Sequence, residues 1–189
     1  RDRLGIKPLY YKEINNKVIY SSEIASILHL SNSSINDLGI RQYKKFRMTI
    51  NNHTIYNDIY FFPQGSYSKN KKLIQYWDLE INSKDAPHDD DIKHLINNSI
   101  EIRKRADVEI GSYLSGGLDS TILSFLLNPD DTWTVGFSDL NEFKWSSLAN
   151  KSLKSNHHQI LVSYEEFLSE LKFMVIERNL VQEVLDIQV

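Results

Sequence analysis

Short alternating runs of apolar and polar residues fill the first eighty positions, and helical periods take over after residue 90. Residues 9–11 and 18–21 read as β segments on either side of Asn15 and Asn16, a turn-forming pair. Residues 22–30 fit a short helix in which Ile24, Ile27 and Leu28 share one side. A second helix is predicted from Asn36 to about Phe46, with Leu38, Ile40 and Tyr43 turned inward. Residues 52–60 read as extended, and Pro63-Gln64-Gly65 as a turn before another short extended piece. Tyr76 and Trp77 are expected as buried aromatics closing this half.

Residues 81–91 break both periods. Asn82, Ser83, Lys84, Asp85, Pro87 and the run Asp89-Asp90-Asp91 mark a linker. The three aspartates read as a solvated helix start, where carboxylates meet unpaired N–H groups, in preference to a metal site. Beyond them Ile92, Leu95, Ile96, Ile100 and Arg103 recur at helical spacing. A strand is predicted at 108–114, a tight turn at 115–117, a helix at 120–127, a strand at 132–137, a helix at 142–153 and a strand at 159–162. Ser163 and Glu166 have capping-box spacing for a last helix. Its apolar face (Phe167, Leu168, Leu171, Met174, Val175, Leu180, Val181, Val184) reads as packing, because Glu165, Glu166, Glu170, Glu177 and Glu183 disfavour anionic lipid. Strands alternating with helices imply a parallel sheet with right-handed crossovers. The expected fold is thus a mixture of α+β and α/β: an antiparallel β-rich unit over 1–82, a linker at 83–91, and the start of a doubly wound parallel-sheet domain over 92–189.

Composition narrows the function classes. Of 189 residues, 41% are hydrophobic and 25% charged, with seven Gly and four Pro, which fits a folded soluble chain and not a collagen-like or disordered one. Basic residues number 22 and acidic 25, so a net charge of −3 gives no support to nucleic-acid binding. The absence of Cys excludes a disulfide scaffold, a cysteine-ligated metal and a thiolate nucleophile within this stretch. No apolar run approaches the ~20 residues that span a bilayer, and no signal-peptide pattern opens the chain. The cytoplasm is therefore the expected location. The opening RDRLGIKPLYY has no initiator Met, which suggests a piece of a longer protein.

The strongest local feature is YLSGGLDST, residues 113–121, placed where a strand gives way to a helix. Gly116 and Gly117 permit a turn that a Cβ would obstruct and leave room for a ligand against the backbone. Ser115 and Ser120 can donate hydroxyl hydrogens to phosphoryl oxygens, and the N–H groups of the new helix point the same way. A carboxylate among phosphates, at Asp119, makes sense if it holds Mg²⁺. The lysine of a Walker A loop is missing. The local chemistry points to a magnesium–nucleotide complex.

SGGLDS resembles the pyrophosphate-binding loop of the ATP pyrophosphatase, or N-type, superfamily. RKRADVEIGSYLSGGLDST is similar to glutamine-hydrolysing asparagine synthetases in particular, and RDRLGIKPLYY resembles a segment late in their glutaminase domain. Ser22-Glu23, Pro63-Gln64-Gly65, Tyr76-Trp77, residues 132–137, Asn141-Glu142 and His157-His158 extend the likeness to about residue 168. The resemblance implies a class II glutamine amidotransferase unit joined to an ATP-dependent synthetase. Such an enzyme hydrolyses glutamine through an N-terminal cysteine, passes ammonia along a tunnel, and amidates aspartate through β-aspartyl-AMP. It implies ATP, Mg²⁺, aspartate and glutamine-derived ammonia as the small-molecule partners, no nucleic acid and no membrane, and it allows a homodimer. Ser115, Gly116, Gly117, Asp119 and Ser120 would hold the pyrophosphate part of ATP and its Mg²⁺, with Ser115, Asp119 and Ser120 closest to the chemistry and Asp119 only one of the metal's ligands. Leu114, Val135 and Gly136 would lie near adenosine.

The chain departs from the family pattern in lacking the nucleophilic cysteine, the early glutaminase strands and a second glycine- and aspartate-rich loop. Two further readings therefore stand beside the first: an amidotransferase acting on another carboxylate, and a shortened, non-catalytic nucleotide- or partner-binding protein. Among the other marked residues, adjacent His157 and His158 point to opposite sides of an extended segment, so local hydrogen bonding is expected and not a shared metal. Glu142 is expected to cap a helix, with a role near ATP as the alternative. Arg1, Asp2 and Arg3 are expected to form an ion-pair network that positions strands. Arg103, Lys104 and Arg105 are expected at the solvent surface.

Overall fold

Asn15 and Asn16 both adopt left-handed backbone (φ 46° and 64°), the requirement of a type I′ turn. They join β1 (Tyr10–Ile14) and β2 (Lys17–Ser21) as a two-residue antiparallel hairpin. The computed structural model describes residues 1–80 and 87–178. Among the described residues the chain divides into two compact units, residues 1–80 with 171–178 and residues 87–170.

In the first unit β1 also pairs with β3 (Tyr60–Phe61), so the sheet runs β2-β1-β3 and is antiparallel throughout. α1 (Ile24–Leu30) lays Ile24 and Ile27 against Tyr10 and Ile59, with Ile19, Leu28 and Phe61 at the margin of this core. α2 (Asp37–Phe46) begins at Asn36, whose side-chain oxygen accepts the N–H groups of Leu38 and Gly39, both at 3.1 Å. Leu38 was expected inside but is exposed; Gly39 takes the buried place, since a Cβ there would lie 2.5 Å from the Thr54 carbonyl oxygen. Residues 52–60 are not one extended segment. Asn52 and Asp58 take positive φ, and the Thr54 hydroxyl donates to the Ile59 carbonyl at 2.8 Å, which folds the segment back on itself. The Pro63-Gln64-Gly65 turn leads into a hairpin of β4 (Ser66–Lys69) and β5 (Lys72–Gln75).

Two further expectations for this unit need correction. Tyr76 is half exposed and Trp77 only partly buried; the Tyr76 hydroxyl donates to the Arg1 carbonyl at 2.9 Å, so its polar tip needs no burial. Arg1 and Asp2 form backbone clamps in place of an ion-pair network. The Arg1 guanidinium donates to the carbonyls of Gly5, Lys7 and Phe62, and Asp2 accepts the N–H groups of Ile6 and Lys7. Among the described residues the buried cation of the unit is Lys12, which reaches the Asn32 carbonyl, the Ser33 hydroxyl and Asp58.

The second unit opens with α3 (Asp89–Arg103), and Asp89, Asp90 and Asp91 sit in its first turn as a helix start should. Of the linker expected before it, residues 81–86 lie outside the described residues. β6 (Ser112–Tyr113), α4 (Leu118–Leu127), β7 (Asp131–Gly136), α5 (Phe143–Leu153), β8 (Asn156–Leu161) and the first half of α6 (Tyr164–Arg178) follow. The three strands form one parallel sheet in the order β6-β7-β8. The strand expected at 108–114 shrinks to two residues, and Val108 is exposed. The third strand starts three residues earlier than expected and so includes both histidines. Ser163 and Glu166 form the capping box: the Glu166 carboxylate accepts the Ser163 N–H at 2.8 Å, and Ser163 Oγ accepts the Glu166 N–H at 3.1 Å. Phe167 meets the Phe137 ring edge-on at 5.5 Å, whereas Leu168 is exposed. Leu180, Val181 and Val184 lie outside the described residues. An antiparallel β unit followed by a parallel α/β unit is the fold class the sequence pattern implies.

Candidate functional site

In a parallel sheet the carboxyl ends of the strands are where loops can gather round a ligand. Leu114 follows β6 there. It is fully buried, its N–H donates to the Trp133 carbonyl at 2.8 Å, and its own carbonyl accepts the Thr134 hydroxyl from β7. The chain then turns through Ser115, Gly116 and Gly117 into α4.

The two glycines do different work. Gly116 has φ +85°, and a Cβ there would lie 2.5 Å from the Trp145 carbonyl carbon and 2.7 Å from the Ser146 nitrogen. It lets the loop rest directly on the backbone of α5. Gly117 is the N-cap of α4 in extended backbone, and a Cβ there would meet only Ser115 Oγ, at 3.3 Å. Its side faces open space.

Ser115 and Ser120 close the loop on itself. Their hydroxyls lie 2.8 Å apart, the Ser115 N–H donates to Ser120 Oγ at 3.2 Å, and Ser120 Oγ donates to the Gly117 carbonyl at 3.2 Å. Ser115 Oγ in turn accepts the Gly117 N–H at 3.2 Å. Both hydroxyl protons are thus spent within the loop. The first helical hydrogen bond of α4 runs from the Thr121 N–H to the Gly117 carbonyl. The N–H groups of Leu118, Asp119 and Ser120 precede it and so have no carbonyl partner within the helix. Asp119 is exposed in this first turn, and its side chain makes no hydrogen bond or ion pair among the described residues.

Of the residues expected near adenosine, Val135 is half exposed, while Gly136 is buried at the end of β7. A Cβ on Gly136 would fall 2.4 Å from that of Asn141, whose amide donates to the Phe137 carbonyl at 2.8 Å. Tyr164 stacks on Phe137 at 4.4 Å and donates to Asp139 at 3.2 Å. Glu142 occupies the N-cap of α5, but its side chain caps nothing; Asn141 Oδ1 accepts the Phe143 N–H instead. Arg103 bonds to Ser99 and Lys104 to Glu101, both on the surface of α3.

The sequence reading passed over the polar layer beneath the loop. Thr132, Thr134 and Ser146 are buried, and His157 lies among them. Its Nδ1 is 3.0 Å from Thr132 Oγ1, and its Nε2 is 3.1 Å from Ser146 Oγ and 3.4 Å from Thr134 Oγ1. Burial pushes the His157 pKa down from its ordinary value, and the neighbouring His158 adds to the effect. His158 takes the other sheet face, stacked on Trp133 and bonded to Asp131 at 2.7 Å. The opposed histidines fit the expectation of local hydrogen bonding. Thr132 and Thr134 two residues apart on a strand were the available signal for the layer.

Residues 91–179 match the asparagine synthase family, and residues 1–77 match the glutamine amidotransferase domain. Together the two matches are a family-level likeness to the glutamine-hydrolysing asparagine synthetases. It is 28% identical to a putative glutamine-hydrolysing asparagine synthetase of Methanocaldococcus jannaschii, over 88% of this chain and 36% of that protein. It is 27% identical to a glutamine-hydrolysing asparagine synthetase of Bacillus subtilis, over 93% of this chain and 30% of the relative. A third relative, the amidase chyE of Penicillium rubens, is 31% identical over 64% of this chain and 20% of its own length. The chain therefore spans about a third of the length of its asparagine synthetase relatives.

The donor set at the loop also tests the fit of a magnesium ion. Among the described residues no group of three or more His, Asp or Glu is placed to hold a metal. A lone exposed carboxylate beside unpaired N–H groups fits an ion that arrives with most of its ligands as phosphate oxygens and water. Asp119 would be the ligand that this stretch supplies.

Proposed function

We propose that the protein carrying this chain amidates the side-chain carboxylate of aspartate, using ATP and ammonia released from glutamine, and that the loop at 114–120 holds the pyrophosphate part of the nucleotide. The observation that carries this reading is the strand–loop–helix junction at Leu114–Ser120. It lies at the carboxyl end of a parallel strand, with three N–H groups of α4 ahead of the first helical bond and Asp119 free beside them.

In the proposed reaction a carboxylate oxygen of aspartate attacks the α-phosphorus of ATP, and the bond to the bridging oxygen breaks. Pyrophosphate leaves with the electron pair. Ammonia then adds to the activated carbonyl carbon, loses a proton and expels AMP. The first step depends on alignment and charge compensation more than on a protein nucleophile. Mg²⁺, when bound, would neutralise charge on the leaving pyrophosphate. The N–H groups of Leu118, Asp119 and Ser120 would take phosphoryl oxygens, as an anion at a helix start requires. Ser115 and Ser120 would exchange their mutual hydrogen bond for donation to the same oxygens. Val135 and Gly136 would border the adenosine, and Leu114 would hold the loop's entry from below. Glutamine hydrolysis belongs to a cysteine that this stretch lacks. A cytoplasmic location is part of the proposal, and no helix among the described residues is long and apolar enough to cross a membrane.

A second reading, amide chemistry on another carboxylate, draws support from the likeness to two fungal amidases at 29% and 31% identity. The nucleotide half of the mechanism is the same in both. Replacing Asp119 with Asn keeps its size and removes its charge. The variant should melt like the wild type, bind ATP more weakly in Mg²⁺ by calorimetry, and release little pyrophosphate with ammonia in the product of the full open reading frame. Wild-type turnover would remove Asp119 from the site. Comparing pyrophosphate release with aspartate and with other carboxylates separates the two readings.

A further inference from the structure

We infer that His157 is a positioning residue for the loop at 115–120, acting through the two groups on which that loop rests. One support is Thr134, whose hydroxyl holds the carbonyl of Leu114, the residue just before the loop. The other is Ser146, whose backbone nitrogen lies under Gly116 at a distance that excludes any side chain. The His157 imidazole reaches both, at 3.4 Å and 3.1 Å, and also reaches Thr132 at 3.0 Å.

Counting protons gives this layer a direction. Ser155 Oγ donates to Asn150 Oδ1, and Asn150 Nδ2 returns a bond to the Ser155 carbonyl at 2.9 Å. The 2.9 Å contact between Thr132 and Ser155 must then carry the Thr132 hydroxyl proton. With that proton spent, His157 Nδ1 must be the donor to Thr132. In a neutral ring Nε2 is therefore the acceptor, and the proton it accepts is that of Ser146 Oγ. Thr134 cannot supply it, since its own proton goes to Leu114. The alternative partner of Ser146 is the Phe143 carbonyl one turn back, at 3.2 Å. A neutral His157 thus runs one chain of donors from α5 through β8 to β7: Ser146 to Nε2, Nδ1 to Thr132, Thr132 to Ser155, Ser155 to Asn150. This chain sets the height and rotation of α5 against β7. The loop is held between those two elements, by Gly116 on α5 and by Leu114 on β7. Hydrogen bonds in a buried layer fix direction as well as distance, which apolar contacts do not.

The positioning role stands on this geometry; its effect on nucleotide rests on the function proposed above. Two kinds of measurement on the full chain keep the two apart. The imidazole nitrogens of His157, observed by long-range ¹⁵N–¹H correlation at neutral pH, should show the Nδ1–H tautomer. In His157→Phe the ring is kept in size without its donor and acceptor. The Gly117 amide, which bonds to Ser115 Oγ, should then exchange about tenfold faster, as for the loss of one net hydrogen bond's support, with the amides of β1 and β2 unchanged. Mg·ATP affinity should fall by a similar factor. His157→Gln, whose amide can donate to Thr132 and accept from Ser146, should recover part of both losses, and it serves as the folded comparison if the Phe variant does not fold. An Nε2–H tautomer, loop exchange in the Phe variant equal to the wild type, or no recovery from Phe to Gln overturns the assignment. If the wild type binds no Mg·ATP, the proposed function fails while tautomer and exchange still decide the role of His157.

Discussion

Around Ile27 and Ile59 the first unit is filled with hydrocarbon, whereas the sheet of the second meets α5 through hydroxyls and an imidazole. Tyr10, Ile24, Ile27 and Ile59 form a single apolar cluster under the β2-β1-β3 sheet. On the inner face of β7 the corresponding places are Thr132 and Thr134, with Ser146 opposite and His157 between. The apolar cluster gains free energy from removed surface and is nearly indifferent to small rotations of its members. The polar layer gains little net energy per bond but penalises any shift that breaks one. A scaffold element can be built the first way. A loop whose N–H groups must meet a ligand within tenths of an ångström needs the second.

The largest break in this comparison should come from Ile59→Ala. Ile59 is fully buried, so the variant should lose about 2–5 kcal/mol through lost transfer energy and a residual cavity. Urea unfolding followed at amides of β1 and β2 would measure it. A loss below about 1 kcal/mol would mean that the cluster collapses round the gap and is not the core of the unit.

Next in size is the contrast between adjacent glycines. Gly116→Ala puts a Cβ into the α5 backbone at a positive φ and should cost about 2–4 kcal/mol of strain and overpacking. Gly117→Ala meets only a serine hydroxyl and should stay within about 1 kcal/mol of wild type, as helix caps do. Its new methyl stands at the loop's open mouth, so Mg·ATP affinity should fall although the melting temperature barely moves. Thermal melts and titrations of both variants give the ranking. A Gly117 variant that melts early and a Gly116 variant that does not would reverse the roles assigned to them.

What the chain made legible follows the same division. The Asn15-Asn16 turn, α1, the Asp89-Asp90-Asp91 helix start and the Ser163/Glu166 capping box were all readable because each depends on residues within a few positions. The SGGLDST junction was readable for the same reason, although α4 starts two residues earlier than its periodicity suggests. Failures came where long-range partners decide. Leu38 has the right spacing for burial, yet the approach of Thr54 allows only Gly39 inside. Residues 52–60 look extended until the Thr54 hydroxyl turns the chain. Tyr76 and Trp77 were assigned to the interior on hydrophobicity, which says nothing of a hydroxyl already paired at the surface. The His157 layer was legible only at Thr132 and Thr134, because its other members come from α5 and β8, spread over 26 positions from Thr132 to His157 with no local pattern linking Ser146 to them.

The smallest expected effect is a pH dependence of the second unit near neutrality. Burial, then the charge of His158, lowers the His157 pKa below its ordinary 6.5. The groups facing the ring are hydroxyls, Thr132 and Thr134 from β7 and Ser146 from α5; the nearest ionisable neighbour is His158, itself bonded to Asp131 across the sheet. As pH falls, the unfolded chain takes up this proton before the folded one does. Between the two pKa values the unfolded state binds more protons, so stability rises with pH in that window. The contribution of a neutral His157 is therefore complete above about pH 6.5 and is lost as pH falls through the folded value. Glu166 gives a lower window. Bonds from the Ser163 N–H and hydroxyl hold its pKa below the ordinary 4.5, so its contribution is complete above that value and lost below it. Amide exchange at stepped pH should show β7 and β8 losing protection relative to β1 and β2 just below pH 6.5, before the carboxylate window opens. His157→Gln should flatten the upper step and leave the lower one. An equal loss in both units, or an upper step that survives in the Gln variant, would separate the titration from His157. The polar layer would then owe its order to the hydroxyls alone.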